Sequence, residues 1–421
     1  MQFDKDYPFS AKNESVNMAA VRIKNDQWKE DELLKEALKR YVEEGLHREE
    51  ILDYVLRDFG EYAWSIRTLD RRLNHFEISY TDRTVTIDEI QSAVKNEMQG
   101  PGKLLGYRAL QKKIRQVYGL KVPRDVVYAV MYDVDSDALE RRAPQFKKKK
   151  AKGHFTSPGP NHVHSLDGHD KLMGYQNWTF PIAVYGCIDT CSRKVLWVRV
   201  WITNSDPQLI GRFYLEYLFK TRTIASRLRL DKGTETGVLA TMHAFLRQNH
   251  GDMDPVETVI YGPSTSNQIE RWWRELHERL EMFFKFPLKQ LKDHGHYDPN
   301  NESHRHLLAY LMIPIMQKEI NTFVDTVWNS HRIRGQKTTY LPDGVPNHIH
   351  DFPEKYGLQE CGLKVTEQQL EEVADLSDVL TDNDDYLPPG LRVKCEQIID
   401  PLEIDVSDIA HAFRYLKDNV V

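Results

Sequence analysis

Three acidic residues occur where their carboxylates could act together on metal ions. Asp167 lies in a predicted strand, Asp231 ends another predicted strand, and Glu270 opens a predicted helix. Carboxylate oxygens are the ligands that Mg²⁺ and Mn²⁺ prefer in proteins. Two such ions about 3.5 to 4 Å apart can activate an attacking oxygen and stabilise the leaving oxygen of a phosphodiester. This chemistry needs no protein nucleophile, and the sequence contains no clear Ser-His-Asp or Cys-His arrangement.

The elements that must position these acids follow the order β-β-β-α-β-α-β-α. The predicted strands cover residues 164–172, 180–189, 194–202, 227–231 and 257–262. The first three can pair antiparallel, and the alternating units that follow add parallel strands, so the order predicts a mixed α/β sheet covered by helices. Functional sites in such sheets gather beyond the carboxyl ends of parallel strands, where Asp231 would lie. The loop before Glu270 returns to the same edge, so the three acids can converge.

The acids also have simpler explanations. Glu270 could merely complement the partial positive charge at a helix N-terminus. Asp189, in the turn sequence IDTCSR, and Asp170 compete with Asp167 as the acid from the first strands. The metal hypothesis therefore depends on the three acids acting together.

The helix that contains Glu270 has two different faces. Its apolar stripe predicts core packing for at least one of the two tryptophans, and consists of Ile269, Trp272, Trp273, Leu276, Leu280 and Phe283. Glu270, Arg274 and His277 fall on another face, where Arg274 is a helical neighbour of Glu270. That face could present a carboxylate and a cation to DNA phosphate. Ordinary solvent exposure explains Arg274 and His277 equally well.

Two groups of short predicted helices precede the strands, at residues 30–76 and 86–134. Three short helices with a tight turn before the third are typical of a helix-turn-helix unit, whose third helix can enter a major groove. A plain helical bundle with solvated basic faces fits the same pattern. The candidate DNA contacts are Arg67, Arg71 and Arg72 in the first group and Arg108, Lys112, Lys113, Arg115 and Arg124 in the second.

Charge is unevenly distributed along the chain. The net charge of −6 argues against a uniformly basic nucleic-acid-binding protein. Residues 103–152 are nevertheless basic and include the run KKKK, whereas residues 367–408 are acidic, so the front half is the expected polyanion-binding half. The KKKK run is interpreted as part of a linker, a phosphate contact or a nuclear import signal, with a solvated charge run as the default. The acidic segment predicts a mobile surface or a contact with a protein partner.

Composition excludes several classes of protein. The chain of 421 residues allows two or three domains, and its 40% hydrophobic and 29% charged residues are those of an ordinary globular protein. No apolar run is long enough to span a bilayer, and the first residues lack a secretory signal. The four cysteines predict a reducing compartment rather than a disulfide framework. Cys187 and Cys191 lack a second ligand pair with zinc-site spacing.

Residues 164–280 resemble the integrase core of the retrovirus-like integrase and transposase superfamily. The matching sequences are SLDGHDKL with Asp167, GCIDTCSRKVLWVRV at a predicted hairpin, LDKGTE with Asp231 and YGPSTSNQIERWW with Glu270. A weaker resemblance continues through WNSHRIRGQ, and the pattern is most similar to eukaryotic integrase-core proteins that often carry helix-turn-helix segments. The resemblance implies a ribonuclease-H-like fold with an Asp, Asp, Glu triad. It also favours Asp167 over Asp189, which matches a hairpin residue of the family.

The resemblance implies a metal-dependent enzyme that prepares DNA 3′ ends and joins them to target DNA by transesterification. Asp167, Asp231 and Glu270 would hold two Mg²⁺ or Mn²⁺ ions. Further candidate contacts to the DNA backbone are Lys232, Asn267, Gln268 and Arg274. Asn267 could equally cap its helix. The family implies DNA and further copies of the chain as partners, and we expect a nuclear location and no membrane association.

Two alternatives retain the same fold. One is a catalytically silent, host-adopted DNA-binding or interaction protein, which the acidic segment favours. Departures from the family also favour it: His164 and Ser165 stand where relatives often have Trp-His, and Thr236 stands where they often have Asn. The other is a metal-dependent nuclease without joining activity.

The predicted domains are an N-terminal helical domain (1–80), a second helix-turn-helix-like domain (81–142), a basic linker (143–160), an integrase catalytic core (161–335) and a C-terminal region with the acidic segment (336–421).

Overall fold

The computed structural model describes residues 26–82, 84–135, 156–169, 178–262, 269–334, 341–381 and 385–420. Residue contacts divide the chain into two units. The smaller combines Met1–Thr86 with Ile114–Pro123, and the larger combines Ile87–Lys113 with Arg124–Val421. Most of the helical residues of the predicted second domain (81–142) belong to the unit that contains the sheet.

The smaller unit contains the first predicted group of helices. They are α1 (Glu32–Glu43), α2 (Arg48–Asp58) and α3 (Ile66–His75), preceded by a 3₁₀ turn at Gln27–Lys29. Asp31 and Ser65 cap the first and third helices, since their side-chain oxygens accept hydrogen bonds from the backbone N–H groups of Leu34 and Thr68. The buried side chains that join the helices include Leu38, Val42, Ile51, Val55 and Leu69.

The second predicted group of helices is also present. It consists of α4 (Ile87–Gln99), a 3₁₀ turn (Pro101–Leu104), α5 (Tyr107–Val117) and α6 (Arg124–Val134). In the larger unit α4 packs against α6. Lys113 on α5 lies between two carboxylates, Glu97 on α4 and Glu319, at N–O distances of 3.0 and 3.2 Å. These buried ion pairs tie the helices to the rest of the larger unit.

Among the described residues, five strands form one mixed sheet in the order β3-β2-β1-β5-β6. The strands of the chain are β1 (Val163–His169), β2 (Ala183–Asp189), β3 (Val195–Trp201), β4 (Thr223–Ile224), β5 (Arg227–Leu230), β6 (Val259–Tyr261) and β7 (Leu363–Lys364). The first three pair antiparallel, and β5 lies parallel to both β1 and β6. The predicted α/β class, with its ribonuclease-H-like strand order, is confirmed.

Helices cover both faces of this sheet. They are α7 (Pro207–Thr221), α8 (Gly237–Gln248), α9 (Ile269–Leu276), α10 (Met282–Asp293) and α11 (Glu302–Thr322). Two π-helical segments, His277–Glu281 and Phe323–Trp328, follow α9 and α11. Leu166 packs in the core formed with α7 and α8, whereas α9 contacts β1 and β2. Because side chains alternate along a strand, Asp167 points away from Leu166 and toward the α9 face.

The C-terminal region is folded against the core. Its helices are α12 (Pro346–Asp351), α13 (Glu367–Ser377), α14 (Leu391–Glu396) and α15 (Ile409–Val420), and β7 pairs with β4. Val379 and Leu387 are buried within the acidic stretch, and Tyr386 packs edge-on against Trp201 with ring centroids 4.9 Å apart. The predicted mobile surface is therefore wrong for the described part of this stretch, because interspersed apolar side chains anchor it.

Backbone hydrogen bonds connect the start of the core to a segment about two hundred residues later. The amides of Gln359 and Cys361 donate to the carbonyls of Pro158 and Pro160 at 3.1 and 3.0 Å. A Cβ atom on Gly159 would lie 1.7 Å from the carbonyl oxygen of Gln359. Only glycine allows the two backbones to approach this closely.

No helix within the described ranges is both long enough and apolar enough to cross a membrane.

Candidate active site

Asp167 is fixed at its place on β1 by a tryptophan of α9. Its Oδ2 atom accepts a hydrogen bond of 3.0 Å from Nε1 of Trp273. The tryptophan ring packs over Gly186, the residue that pairs with Asp167 on β2. A Cβ atom at position 186 would lie 3.0 Å from Cη2 of Trp273, so the glycine makes room for the ring.

Asp231 and Glu270 reach the same edge of the sheet. Asp231 directly follows β5, the parallel neighbour of β1, and Glu270 is an exposed residue in the first turn of α9. Burial raises the pKa of Asp167 to about 7, and the negative charges of Glu270 and Asp231 contribute to the same shift. Glu270 and Asp231 thus each lie within electrostatic range of Asp167.

Asp231 has a carboxylate oxygen with unused acceptor capacity. Burial raises the pKa of this residue, and the positive charge of Arg229 partly opposes the shift. The Oδ1 atom is buried and accepts no hydrogen bond from the residues that the structure describes. Buried polar atoms normally have a partner, so this oxygen suits a cation or a water molecule.

Asp189, the competing acid, has a different role. Its side chain is completely buried. Its Oδ1 accepts a hydrogen bond from the amide of Asn161, and its Oδ2 accepts bonds from the amide and hydroxyl of Ser192 at 2.7 and 2.5 Å. This carboxylate holds the turn after β2. The other competitor, Asp170, lies outside the described residues.

Residues 154–343 match the family model described as Integrase core domain. The chain carries an integrase core domain. The match confirms the family resemblance and spans the whole five-stranded sheet together with Asp167, Asp231 and Glu270. Among curated proteins, no sequence matches the chain.

The motif WNSHR ties the hairpin of the integrase core to the helix that follows α11. Nε1 of Trp328 donates to the carbonyl of Arg193 at 2.8 Å. The side chain of Asn329 binds both backbone groups of Val195, accepting from the amide and donating to the carbonyl at 2.9 Å each. These contacts give a structural role to the WNSHR motif, in which the chain also resembles the family.

The carboxylates of the integrase core match hard divalent cations in ligand type, but not in their present spacing. The three carboxylates supply the oxygen ligands that Mg²⁺ and Mn²⁺ prefer, and the Oδ1 atom of Asp231 has no donor among the described residues. Within the described ranges, no group of three or more His, Cys, Asp or Glu side chains is close enough to hold a metal ion. Repulsion between like charges opposes closer approach of the carboxylates, and a cation would reverse that repulsion.

Replacing Asp167 by asparagine is expected to stabilise the metal-free protein at pH 8. The carboxyl has a pKa of 3.8 in an unperturbed chain, and the folded protein raises it to about 7. The folded state binds the proton more tightly, so ionisation costs folding free energy as the pH rises between these values. One pKa unit corresponds to about 1.4 kcal/mol, and we expect the neutral side chain to gain about 1 to 4 kcal/mol.

Thermal unfolding in EDTA measures this gain, which should shrink as the pH is lowered and vanish below about 3, where the wild-type carboxyl is protonated in both states. Asp189→Asn is the control. Its carboxylate accepts three hydrogen bonds in the turn, so this substitution should lower the unfolding temperature. A loss of stability in Asp167→Asn, or a gain that does not vary with pH, would contradict the raised pKa.

The candidate DNA contacts fall into two groups. Those with exposed side chains are Arg67, Arg71, Arg108, Arg124, Lys232 and Arg274. Asn267 and Gln268 lie outside the described residues. Arg72 is only 3% exposed, and its guanidinium packs 4.0 Å from the ring centroid of Trp64. Lys113 is 7% exposed and is held by its two glutamates, so both were wrongly expected to present their charge to DNA.

Two further candidate DNA contacts, Lys112 and Arg115, form hydrogen bonds within the unit to which each belongs. Nζ of Lys112 donates to the carbonyl of Ser330, and Nη2 of Arg115 donates to the carbonyl of Tyr80 at 3.2 Å. Both side chains are half-buried. Arg108 and Arg124 are thus the exposed candidates of the second helical group.

Sequence reasoning missed a buried acid behind Trp273. Glu281 is completely buried, and its Oε2 lies 3.2 Å from Nε2 of His169 and 3.0 Å from Nδ1 of His277. His169 in turn stacks on Trp273, with ring centroids 5.1 Å apart and planes 10° apart. One local signal was available, since His277 and Glu281 are four residues apart on a helix.

Proposed function

We propose that the protein is a metal-dependent polynucleotidyl transferase that prepares DNA 3′ ends and joins them to target DNA. The observation that carries this proposal is the position of Asp167 on β1, Asp231 at the end of the parallel strand β5 and Glu270 on the helix packed against β1, all within an integrase core. These residues would hold two Mg²⁺ or Mn²⁺ ions, which supply Lewis-acid activation of the attacking oxygen and stabilisation of the leaving oxygen.

In the joining step, the 3′ hydroxyl of one DNA end forms a bond to a phosphorus atom of the target strand. The bond between that phosphorus and the 3′ oxygen of the target strand breaks. The attacking hydroxyl loses its proton, and the leaving oxygen gains one. One phosphodiester replaces another, so the reaction requires no external energy source.

The chain's own residues bind and orient the DNA in this proposal. Trp273 donates to one oxygen of Asp167 and so fixes the orientation of this carboxylate. Arg274 lies one helical turn after Glu270 and Lys232 directly follows Asp231, so both exposed cations can contact phosphates near the reacting bond.

DNA outside the reacting bond would contact the two helical groups. The exposed residues Arg67 and Arg71 on α3, and Arg108 and Arg124 on α5 and α6, are the proposed contacts. The helix-turn-helix assignment, a nuclear location and a homo-oligomer that processes two DNA ends are parts of the same proposal.

A branched oligonucleotide that imitates a joined DNA end tests this function. The branch already holds the reacting groups together, so the assay depends little on the natural end sequence. We expect the full-length protein to resolve the branch in Mg²⁺ or Mn²⁺ and not in EDTA. Resolution should release one strand and religate the other, whereas plain cleavage without religation would indicate a nuclease.

A second candidate function is a catalytically silent DNA-binding protein with an integrase core. The wide spacing of the acids favours it, since they form no closed ligand group among the described residues. Folded protein that binds the branched DNA but leaves it intact with either metal would support this alternative over the transferase.

A further inference from the structure

Glu281 is an unusual residue to find completely buried, because a buried carboxylate is costly unless it is well hydrogen-bonded. Burial would raise the pKa of Glu281, but the hydrogen bonds from His169 and His277 outweigh this effect and lower the pKa. The carboxylate is therefore ionised, and the facing imidazole nitrogens donate to it. Glu281 ends the π-helical segment His277–Glu281, and such segments often occur at functional sites.

His169 connects this carboxylate to the candidate active site. It lies two residues after Asp167 on β1, so both side chains point to the α9 face of the sheet. The contact to Glu281 fixes one edge of the imidazole. The flat face of the ring lies almost parallel to the ring of Trp273, at a centroid distance of 5.1 Å.

The plane of the Trp273 ring determines where its indole N–H points. That N–H donates to Oδ2 of Asp167. On the sheet side the ring lies over Gly186, which has no side chain to hold it. Two other rings contact it: Trp272 is tilted by 51° at a centroid distance of 4.6 Å, whereas His169 lies parallel and supports the plane of the ring. A continuous path of contacts thus runs from Glu281 through His169 and Trp273 to the carboxylate of Asp167.

We propose that Glu281 and His169 are positioning residues that act through Trp273 to orient the Asp167 carboxylate. Neither residue needs to touch metal or DNA. The hydrogen bond from the indole to Oδ2 fixes the orientation of a carboxylate on which Glu270 and Asp231 act electrostatically. The catalytic importance of this positioning rests on the proposed transferase function. The contacts themselves can be tested without that function.

Two matched substitutions distinguish this path from a merely structural polar cluster. His169→Asn and His277→Asn each remove one imidazole from Oε2 of Glu281. Of the two, His169 is the one that stacks on Trp273. A packing role predicts similar effects for both substitutions, whereas a positioning role predicts an effect of His169→Asn alone.

The first measurement is the NMR signal of the Trp273 indole N–H in full-length, metal-free protein labelled with ¹⁵N-tryptophan. Trp273→Phe, which keeps an aromatic ring and removes the N–H group, assigns the signal. In His169→Asn and in Glu281→Gln we expect the signal to shift and its hydrogen exchange to accelerate roughly five- to tenfold, as for loss of one hydrogen bond. In His277→Asn the Trp273 signal should stay at its wild-type position.

The second measurement is Mn²⁺ affinity by electron paramagnetic resonance. Loss of a positioning contact typically weakens metal affinity or activity about 10- to 100-fold, and we expect about tenfold for His169→Asn and Glu281→Gln. Where the protein is active, kcat should fall while the KM for DNA stays unchanged. His277→Asn should remain near wild type in both.

An unchanged Trp273 signal in folded His169→Asn would overturn the proposal, and so would equal changes in both histidine variants. If His169→Asn does not fold, Glu281→Gln tests the same path, because it keeps the side-chain size and removes the charge. The NMR signal is measured without metal or DNA. Failure of the transferase function would therefore leave this test intact, and an active protein with unchanged signals would overturn the positioning role alone.

Discussion

Asp231→Asn is expected to abolish metal-dependent resolution of branched DNA, with a loss of roughly a thousandfold or more. Asparagine keeps the shape of the side chain but removes the charge that would bind the cations. Metal coordination stabilises the transition state by several kcal/mol, and each 1.4 kcal/mol corresponds to about tenfold in rate. Burial already raises the pKa of Asp231, so the fold should tolerate a neutral side chain at this position.

The measurement pairs the branch assay with DNA binding by fluorescence anisotropy, and binding should be nearly unchanged. Glu235→Gln is the matched control, because Glu235 is a second acid on the same loop. The negative charges of Glu235 and Asp231 both contribute to the raised pKa of Tyr185, so the two acids lie in the same electrostatic environment. We expect this control to stay active. An equal loss of activity in both variants would show that the effect depends on the total charge of the loop. Full activity in Asp231→Asn would show that Asp231 is not a member of the catalytic triad.

Gly159→Ala is expected to destabilise the larger unit by about 3 kcal/mol, near the upper end of what overpacking usually costs. The added methyl group would meet the backbone of Gln359 rather than a flexible side chain. The backbones would have to separate, and the hydrogen bonds from Gln359 and Cys361 to Pro158 and Pro160 would lengthen or break.

Urea unfolding and limited proteolysis measure this loss. Gly237→Ala provides the contrast, since Gly237 has helical backbone angles (φ −61°, ψ −48°) and a Cβ there meets no atom within 4 Å. We expect this second substitution to be neutral or to stabilise by about 0.4 to 1 kcal/mol. Similar urea midpoints for the two variants would show that the close approach of the two backbones at Gly159 does not require glycine.

The order of strands and helices could be predicted because it depends on local pattern. Alternating apolar residues and turn residues define β1 to β3, and helical periodicity defines the helices before and after them. The same order put Asp167 on the first strand and Asp231 at the end of a later parallel strand. That these two strands are neighbours, paired parallel as β1 and β5, is shown by the structure.

The contacts that could not be predicted join residues far apart in sequence. Lys113 appeared to be one more surface cation in a basic region, and its partner Glu319 is 206 positions away. Strands β4 and β7 have two residues each, too few to produce a pattern. The hydrogen bond from Trp273 to Asp167 spans 106 positions, and it depends on a glycine of a third element.

The π-helical segment between α9 and α10 has a consequence for the geometry of the site. A π turn holds more residues than an α turn, so it puts the two helices out of phase, and each residue of an α-helix corresponds to about 100° of rotation. Phe284 anchors α10 in the core, whereas Glu270 lies before the segment. Trp273 and the other buried residues of α9 anchor that helix as well, so the number of residues in the segment lets both helices keep their buried faces in the core. A chain one residue shorter would rotate one helix against the other by about 100°, and if α10 kept its packing, α9 would turn Glu270 away from the site.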